Sequence, residues 1–567
     1  MDTPRRSTDV TPSTAPMIWH GWGDPAQRHG LPAGAEAFLE RHIGPLGPPT
    51  PPVGLAEVRV APGRLAAESR AALTAVVGAD HLLDGHRDRV EHAGGKSYPD
   101  LVRRRRGDAV AAPDAILLPG SHQEVQQLLE TCAEQRIAVV PFGGGTSVVG
   151  GVEPDRGGFD AVVAVDLRRL DRLVHLDADS RMATFEPGLR GPHAEALLRE
   201  HGLTLGHFPQ SYEYATLGGY VATRSAGQAS TGYGRLDDLV VGLRCATPAG
   251  ELRVGHGAGS AAGPDLRGLL TGSEGTLGIL TELTLQVQTA PEVERYEAYV
   301  APSFASGAAT LRALTHAGVA PHVARLSDED ETATALAQTG GPKTVALRRY
   351  LRLRGIDRPC LLILGWEGTE AGVARARAAT REVLAERRVH ALGRAAGASW
   401  ASGRFRGPYL RDELMDRGVM AETLETAASW SELGPLYLAV REALTRTLTE
   451  RGTPPLVLCH ISHLYATGAS LYFTWVARQE SGDELEQWHA AKLAASEAIV
   501  ARGATITHHH AVGTDHRAWM QDEIGSLGVE ALRAVKERLD PTGICNPGKL
   551  LPPPTGATLP RHDEHLR

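Results

Sequence analysis

Pro141-Phe142-Gly143-Gly144-Gly145-Thr146-Ser147-Val148-Val149-Gly150-Gly151, PFGGGTSVVGG, follows directly on the apolar run IAVV (137–140), and its reading decides the fold. Consecutive glycines after a strand reach backbone conformations closed to other residues, and they let successive N–H groups converge on an anion. Thr146 and Ser147 add hydroxyl donors. The run is neither the G-x-G-x-x-G of a dinucleotide fold nor the G-x-x-x-x-G-K-[ST] of a nucleoside-triphosphate loop. Taken alone it reads both as a plain glycine turn and as an anion cradle.

Outward from this loop, short strands and helices alternate. PDAILLP (113–119) reads as a buried strand, and SHQEVQQLLETCAEQR (121–136) as a helix with Ser121 and Glu124 at capping-box spacing. A strand running into the glycine loop follows at 137–151, then strands at 161–167 and 181–188, a helix at 192–202 and a strand at 278–288. Pro291 opens a second region with strands at 295–301, 359–368, 455–463 and 469–477. Its helices are read at 304–318, 371–388, 431–452 and 481–502, and 514–551 reads as mostly helical. This is an α+β pattern whose second half suits an antiparallel sheet.

The 567 residues suffice for more than one core, and a net charge of −8 does not point to nucleic acid. The run Arg103-Arg104-Arg105-Arg106 reads as a solvated face. Five scattered cysteines without a CxxC pair imply a reducing, cytoplasmic location. The N-terminus lacks the apolar stretch of a secretory signal, and no run is long enough to span a membrane. Residues 1–16 and 552–567 are expected to be tails, the first of them disordered, and the Pro-rich 44–54 a stiff connector.

Two further Gly/Ser/Thr-rich segments flank strands. One spans 210–234 and offers Gln210, Ser211, Thr216, Gly218, Gly219, Thr223, Arg224, Ser225 and Ala226. The other is Gly272, Ser273, Glu274, Gly275, Thr276, Leu277, Gly278 and Ile279. Small residues let a flat ring lie against the backbone, and three such segments suggest one extended cleft for a long nucleotide.

Together the segments resemble the FAD domain of the vanillyl-alcohol oxidase / p-cresol methylhydroxylase superfamily. The resemblance implies a two-subdomain FAD-binding domain with a cap or substrate domain. In it the first loop (Pro141, Phe142, Gly143, Gly144, Gly145, Thr146, Ser147) wraps the pyrophosphate and the later segments line the flavin. The domains so implied are an N-terminal helical region with connector at 17–112, the FAD domain at 113–290, the cap at 291–505 and a returning segment at 506–551. Some members hold flavin covalently through a histidine in the first loop. Gly143-Gly144-Gly145 offers no such side chain, so FAD is expected to be non-covalent.

Within that superfamily the chain is similar nearly end to end to the alkyl-dihydroxyacetone-phosphate synthases. The matching stretches include WHGWGDP (19–25), TRSAG (223–227), LDDLVVGL (236–243), PYLRD (408–412), LETAASW (424–430), ASLYF (469–473) and THHHAVG (507–513). The resemblance implies ether lipid synthesis without net redox change. Acyl-dihydroxyacetone phosphate loses its fatty acid and a fatty alcohol takes its place, the flavin holding the ketose phosphate between the steps. It assigns acid/base work to Tyr472, His508, His509 and His510, with His510 the first choice as base. Arg411 and Arg325 become substrate-binding residues, and Tyr465 is a neighbouring candidate. A bare reading of the residues leaves Tyr472 open as a core tyrosine and Arg411 as a surface ion pair. On an extended backbone His508 and His510 would face one way and His509 the other.

The alternative is an FAD-dependent dehydrogenase or oxidase of 2-hydroxy acids or alcohols. Those relatives carry GHxGDGNLH and ITGEHGIG segments whose His and Glu hold a divalent metal. Here His463 survives, but Tyr472 stands for the second His and His509 for the Glu, so no metal is expected. A flavin-binding scaffold with a degenerate site is a third reading. The departures from the synthase pattern are Gln210 for Asp, Ala511 for Gly, and Asn546-Pro547-Gly548-Lys549 near the end. A homodimer and peripheral membrane contact are implied by the resemblance alone. No strongly basic amphipathic helix was evident to mark the contact.

Overall fold

The computed structural model describes residues 15–553. The expected tails at 1–16 and 552–567 lie outside the described residues, apart from the two residues nearest the fold at each end.

The first sheet holds β1 (Leu82–Leu83), β2 (Ala115–Leu117), β3 (Ile137–Phe142) and β4 (Ala161–Asp166) in the order β1-β2-β4-β3. β4 pairs in parallel with both β2 and β3, while β1 is antiparallel to β2. The helix His122–Glu134 makes the crossover from β2 to the parallel β3 on the far side of β4. Its cap works as the spacing predicts. Ser121 Oγ accepts the Glu124 amide at 3.1 Å, and the Glu124 carboxylate accepts the Gly120 amide at 2.8 Å, one residue before the cap position. Val125, Leu128, Leu129 and Cys132 recur at helical spacing and are fully buried against the sheet. Each such leucine contributes roughly 1.5–3 kcal/mol by leaving water.

The second sheet is antiparallel. It uses β5 (Leu173–Asp177) and β6 (Met182–Phe185), then, past the short β7 (Leu203–Thr204), β8 (Val240–Thr247), β9 (Gly250–Val254) and β10 (Ile279–Gln286). Their order is β5-β6-β10-β8-β9, and β7 pairs separately with β11 (Gln288–Thr289). The third sheet is also antiparallel. It is built from β12 (Val293–Ala301), β13 (Val323–Ser327), β14 (Cys360–Gly368), β15 (His390–Gly393), β16 (Val419–Ser429), β17 (Leu456–Ile461) and β18 (Gly468–Arg478). The order is β15-β12-β14-β13-β17-β18-β16. The structure thus has the expected α+β class with an antiparallel sheet in its second half.

Several elements were not legible in the sequence, among them β5, β8, β9, β13, β15, β16 and the helices Glu329–Thr339, Gly341–Leu353, Arg394–Gly403 and Gly407–Asp416. β16 is the important one. From Val419 to Thr426 only Thr423 is not fully buried, so both faces are covered and the apolar/polar alternation is lost. The segment 514–551 is helical only from Arg517 to Leu539, with a non-helical Gly525 inside.

After that helix the chain returns to β3. The Val139 amide donates to the Ile544 carbonyl at 2.8 Å, and the Asn546 amide donates to the Val139 carbonyl at 2.7 Å. The C-terminal segment therefore lies against the strand that leads into the glycine loop.

Candidate active site

The three glycine segments converge, and their glycines are the points of closest approach. A Cβ on Gly143 would lie 2.4 Å from Thr216 Oγ1, and one on Gly144 would lie 2.1 Å from the Tyr214 carbonyl. These contacts press the first segment on the second. A Cβ on Gly275, whose φ is +73°, would lie 2.6 Å from the Pro141 ring, so the third segment presses on the first. Among the described residues, the amides from Gly143 to Ser147 have no protein acceptor. A run of unpaired N–H groups in a glycine loop is the donor set that a pyrophosphate needs. The residues present therefore fit FAD. No side chain of Gly143, Gly144 or Gly145 can attach it covalently.

The histidine run is attached to this cradle. Glu274, held at φ +52°, accepts the Val512 and Gly513 amides at 2.9 and 2.8 Å. Burial pushes its carboxyl up to about 7, the two amides opposing. Val149, at the end of the first loop, accepts the Thr514 amide at 3.0 Å.

Glu425 on β16 organises the histidines. Its Oε2 accepts the His508 amide at 2.5 Å, and its Oε1 accepts the His509 and His510 amides at 2.9 and 2.6 Å. Thr507 Oγ1 donates to Oε1 at 3.0 Å. Three successive amides can converge on one carboxylate only from a curled chain. The expectation of an extended backbone is corrected here: the imidazoles fan around Glu425 instead of alternating in direction. Ala511 closes the curl at φ +76°, a conformation that ordinarily favours glycine.

Burial alone would raise the Glu425 carboxyl, yet the three imidazoles and the amides bring it well below the usual carboxylate range. Burial also lowers His508, His509 and His510, which weakens the part of this effect that depends on their charge. The amides do not titrate, and they set the direction for Glu425.

Strand register adds the next layer. Tyr472 on β18 lies opposite Glu425 on one side and opposite His460 on the other. Directly opposed residues share a face, so the three side chains form one row. His460 stacks on Tyr472 with ring centroids 4.7 Å apart. His460 Nδ1 is 3.2 Å from Glu331 Oε1, which also takes Arg325 Nη2 at 2.7 Å. Arg325 thus supports Tyr472 through His460. Tyr472 lies edge-on to His510 at 5.4 Å. Burial pushes its phenol up to about 12. Tyr472 therefore stands protonated, as a donor.

The histidines differ in what remains open. His508 Nε2 meets the Tyr465 hydroxyl at 2.5 Å, and its Nδ1 faces His509 Nδ1 at 2.9 Å. His510 Nδ1 is buried without a hydrogen-bond partner among the described residues. Burial pulls His510 to about 3, Glu425 opposing, so it is neutral and able to accept a proton.

Against the expectation of no metal, nitrogens of His463, His508 and His509 lie within 4.8 Å of one another, a donor set with cation spacing. Their present hydrogen bonds compete with that use, since His463 Nδ1 is already 2.7 Å from Ser230 Oγ.

Arg411 lies on the helix Gly407–Asp416. Its Nη1 donates to the Lys96 carbonyl at 2.7 Å, while Nε and Nη2 are buried without a partner among the described residues. Those two adjacent donors are the edge that takes an oxyanion in bidentate fashion. A surface ion pair is therefore not its role.

Other residues of the glycine segments serve the local fold. Thr216 Oγ1 caps the helix Leu217–Ala222, Thr223 Oγ1 donates to Gly219, and Ser225 Oγ meets His207 Nε2 at 3.1 Å. Thr276 Oγ1 donates to Ser273, and Leu277 and Ile279 lie in core clusters. The exposed Arg224 pairs with Asp237, and the exposed Gln210 accepts from Gln228. Sequence reading missed Glu425, Glu331, His460 and the clamp made by Glu274. LETAASW was noticed, but nothing in it singled out one glutamate.

Relatives share this arrangement of the chain. The FAD binding domain family matches residues 113–255, and the family of FAD linked oxidases, C-terminal domain, matches residues 290–550. The alkyldihydroxyacetonephosphate synthase of Dictyostelium discoideum is 32% identical over 94% of this chain and 93% of its own. That of Trypanosoma brucei brucei is 34% identical over 83% of this chain and 79% of its own. A solved structure of an alkyldihydroxyacetonephosphate synthase superposes with a TM-score of 0.80 at 30% identity, covering 94% of this chain and 98% of that one.

Proposed function

Since the chain belongs to the alkyldihydroxyacetonephosphate synthase family, we propose that it exchanges the acyl group of acyl-dihydroxyacetone phosphate for a fatty alcohol, giving the ether-linked ketose phosphate. The C1–O bond to the fatty acyl group breaks and a C1–O bond to the alcohol forms. The fatty acid leaves carrying a proton, the alcohol gives one up, and no electrons are gained or lost overall. Bound FAD would supply the electron-poor ring that accepts and returns the ketose carbon.

The chain's own groups cover the remaining needs. His510 Nδ1 is open to take a C1 proton. The protonated Tyr472 beside it can donate to the departing carboxylate and take the proton back from the alcohol. The free Nε and Nη2 edge of Arg411 suits the phosphate. Glu425 holds the histidine loop in shape and does not itself transfer a proton. The observation that carries the reading is His510, whose buried Nδ1 makes no hydrogen bond among the described residues, the nearest Glu425 oxygen being 3.7 Å away, set edge-on to Tyr472 with ring centroids 5.4 Å apart. We place the enzyme in the cytoplasm as a homodimer. Its five buried free thiols support a reducing compartment, and the dimer rests on the family resemblance.

The test supplies purified flavin-loaded protein with palmitoyl-dihydroxyacetone phosphate and hexadecanol. Ether product without oxygen consumption is expected. Flavin bleaching by D-lactate or a similar hydroxy acid, with no ether product, sinks the reading in favour of the redox alternative.

A pH profile gives a second test. A base is neutral above its pKa, so His510 at about 3 stays a proton acceptor well below the ordinary histidine value of 6.5. The kcat/KM for ether formation is therefore expected to stay flat from about pH 8 to about pH 6. An acid limb centred near 6.5 would place the proton acceptor in a wetter site.

A further inference from the structure

The run Arg103-Arg104-Arg105-Arg106 does not form the solvated face expected of it, since Arg104 and Arg105 are buried. Arg105 Nη1 donates to the His20 carbonyl at 3.2 Å, and Lys96 Nζ donates to the Ile18 carbonyl at 2.7 Å. These two cations hold the N-terminal strap WHGWGDP (19–25) in place. The strap also meets the helix Gly407–Asp416. The Trp22 amide donates to Asp412 Oδ2 at 2.6 Å, one residue from Arg411. Two glycines permit this approach. A Cβ on Gly21 would collide with the Asp412 carboxylate, and one on Gly23, whose φ is +60°, with the Tyr409 hydroxyl. The Trp22 ring lies edge-on to Tyr214 with centroids 5.8 Å apart, and the Tyr214 carbonyl presses on Gly144 of the first loop. Trp22 thus stands between the flavin cradle and the helix that carries Arg411.

This place holds unanswered donors and surplus positive charge. Trp22 is 3% exposed, and its Nε1 is buried without a hydrogen-bond partner among the described residues. The Nε and Nη2 edge of Arg411 is in the same condition. Lys96, Arg104 and Arg411 donate to main-chain carbonyls, and among the described residues none of the three is ion-paired with a carboxylate. Burial and then Arg104 pull the Lys96 ammonium well below its ordinary value, Asp412 opposing. Asp412 Oδ1 is likewise unpartnered, and burial raises that carboxyl toward its donor form, Arg411 opposing. An indole N–H can only donate, and burying it without an acceptor is unfavourable.

We propose that Trp22 Nε1 donates to the same phosphoryl group that the Arg411 edge grips, which makes the N-terminal strap part of the binding site. A phosphoryl group brings several acceptor oxygens and negative charge to a place that offers donors and cations. A neutral carbonyl would answer the indole and leave the charge unbalanced. The group belongs to the ketose phosphate or to the flavin pyrophosphate, two sources of one chemistry. The inference deepens the proposed reaction and rests on it for the ketose phosphate alone.

The experiment titrates the full flavin-loaded chain with inorganic phosphate. It titrates the flavin-stripped full chain with FAD and with riboflavin, which has no phosphate. Trp22→Phe keeps a ring against Tyr214 and removes the donor. It is expected to weaken binding of inorganic phosphate or of FAD at least ~10-fold, the scale of one hydrogen bond to a charged group, and to leave riboflavin binding unchanged. Weaker inorganic phosphate binding assigns the contact to the ketose phosphate, and weaker FAD binding assigns it to the pyrophosphate. Gly21→Ala, which displaces the strap and keeps the indole, is expected to weaken the same titration. Unchanged phosphate and FAD binding in Trp22→Phe would overturn the proposal. So would an equal loss for riboflavin, the mark of a general loss of packing. If Trp22→Phe does not fold, native titrations of Gly21→Ala overturn it instead. A chain that binds phosphate through Trp22 but makes no ether supports this contact and refutes the reaction, so the two failures are distinguishable.

Discussion

Glu425→Ala is expected to abolish ether formation and to lower the melting temperature, although Glu425 is not assigned to any proton-transfer step. The carboxylate accepts four hydrogen bonds, from the Thr507 hydroxyl and the His508, His509 and His510 amides. Removing it leaves three buried N–H groups and a hydroxyl without an acceptor. Breaking a buried ionic hydrogen-bond network of this kind costs roughly 3–5 kcal/mol. The curl of the loop depends on those bonds, so the His510 imidazole would lose its position against Tyr472. Glu425→Gln keeps the volume and still fails, for a geometric reason. Both carboxylate oxygens face N–H donors, so in either orientation the amide NH₂ meets a donor instead of an acceptor. A Glu425→Gln protein with near-native turnover and melting temperature would show that the loop is held by something else. Thermal unfolding, flavin absorbance and ether product measured on one preparation separate the loss of the loop from the loss of the cofactor.

The second large effect belongs to Tyr472 and His510. Tyr472→Phe removes one oxygen from a buried ring and leaves its packing on His460 intact, so flavin content should be unchanged. His510→Gln keeps most of the volume and removes the base. Each is expected to lower kcat by about 10²–10⁴-fold, the range for a group that moves a proton in the transition state. Because the two face each other at 5.4 Å, they are expected to act as one unit. The double variant should then lose little beyond the worse single one. Strictly multiplicative losses would place them in independent steps. Near-normal turnover in either single variant would remove that residue from the mechanism.

Much of this protein was legible before its structure. The three glycine segments were visible because glycine-rich turns between strands are a local property, and the convergence they suggested is what the Gly143, Gly144 and Gly275 contacts display. Arg411, Tyr472 and the histidines were legible only through family resemblance. Their bare sequence contexts allowed structural roles equally well, and for Arg224, Leu277 and Ile279 the structure shows such roles. β16 was not seen at all, and Glu425 with it. A strand covered on both faces has no period-two signature, and its Ala and Glu residues do not announce a strand by composition.

What the sequence by itself determined are the elements whose causes are local: the capped helix after Ser121, the buried run of β3 and the glycine turn at its end. The active-site arrangement is a tertiary decision. Glu425, Tyr472 and His460 share a face only because β16, β18 and β17 pair in one register, and a slip of one residue would turn any of them to the other side. The curl of the histidine loop depends on Glu425, a residue 83 positions from His508. A short-range reading sees three adjacent histidines and assigns them an alternating strand. The buried carboxylate brought to them by the sheet gathers their amides onto one point and leaves His510 with a nitrogen free.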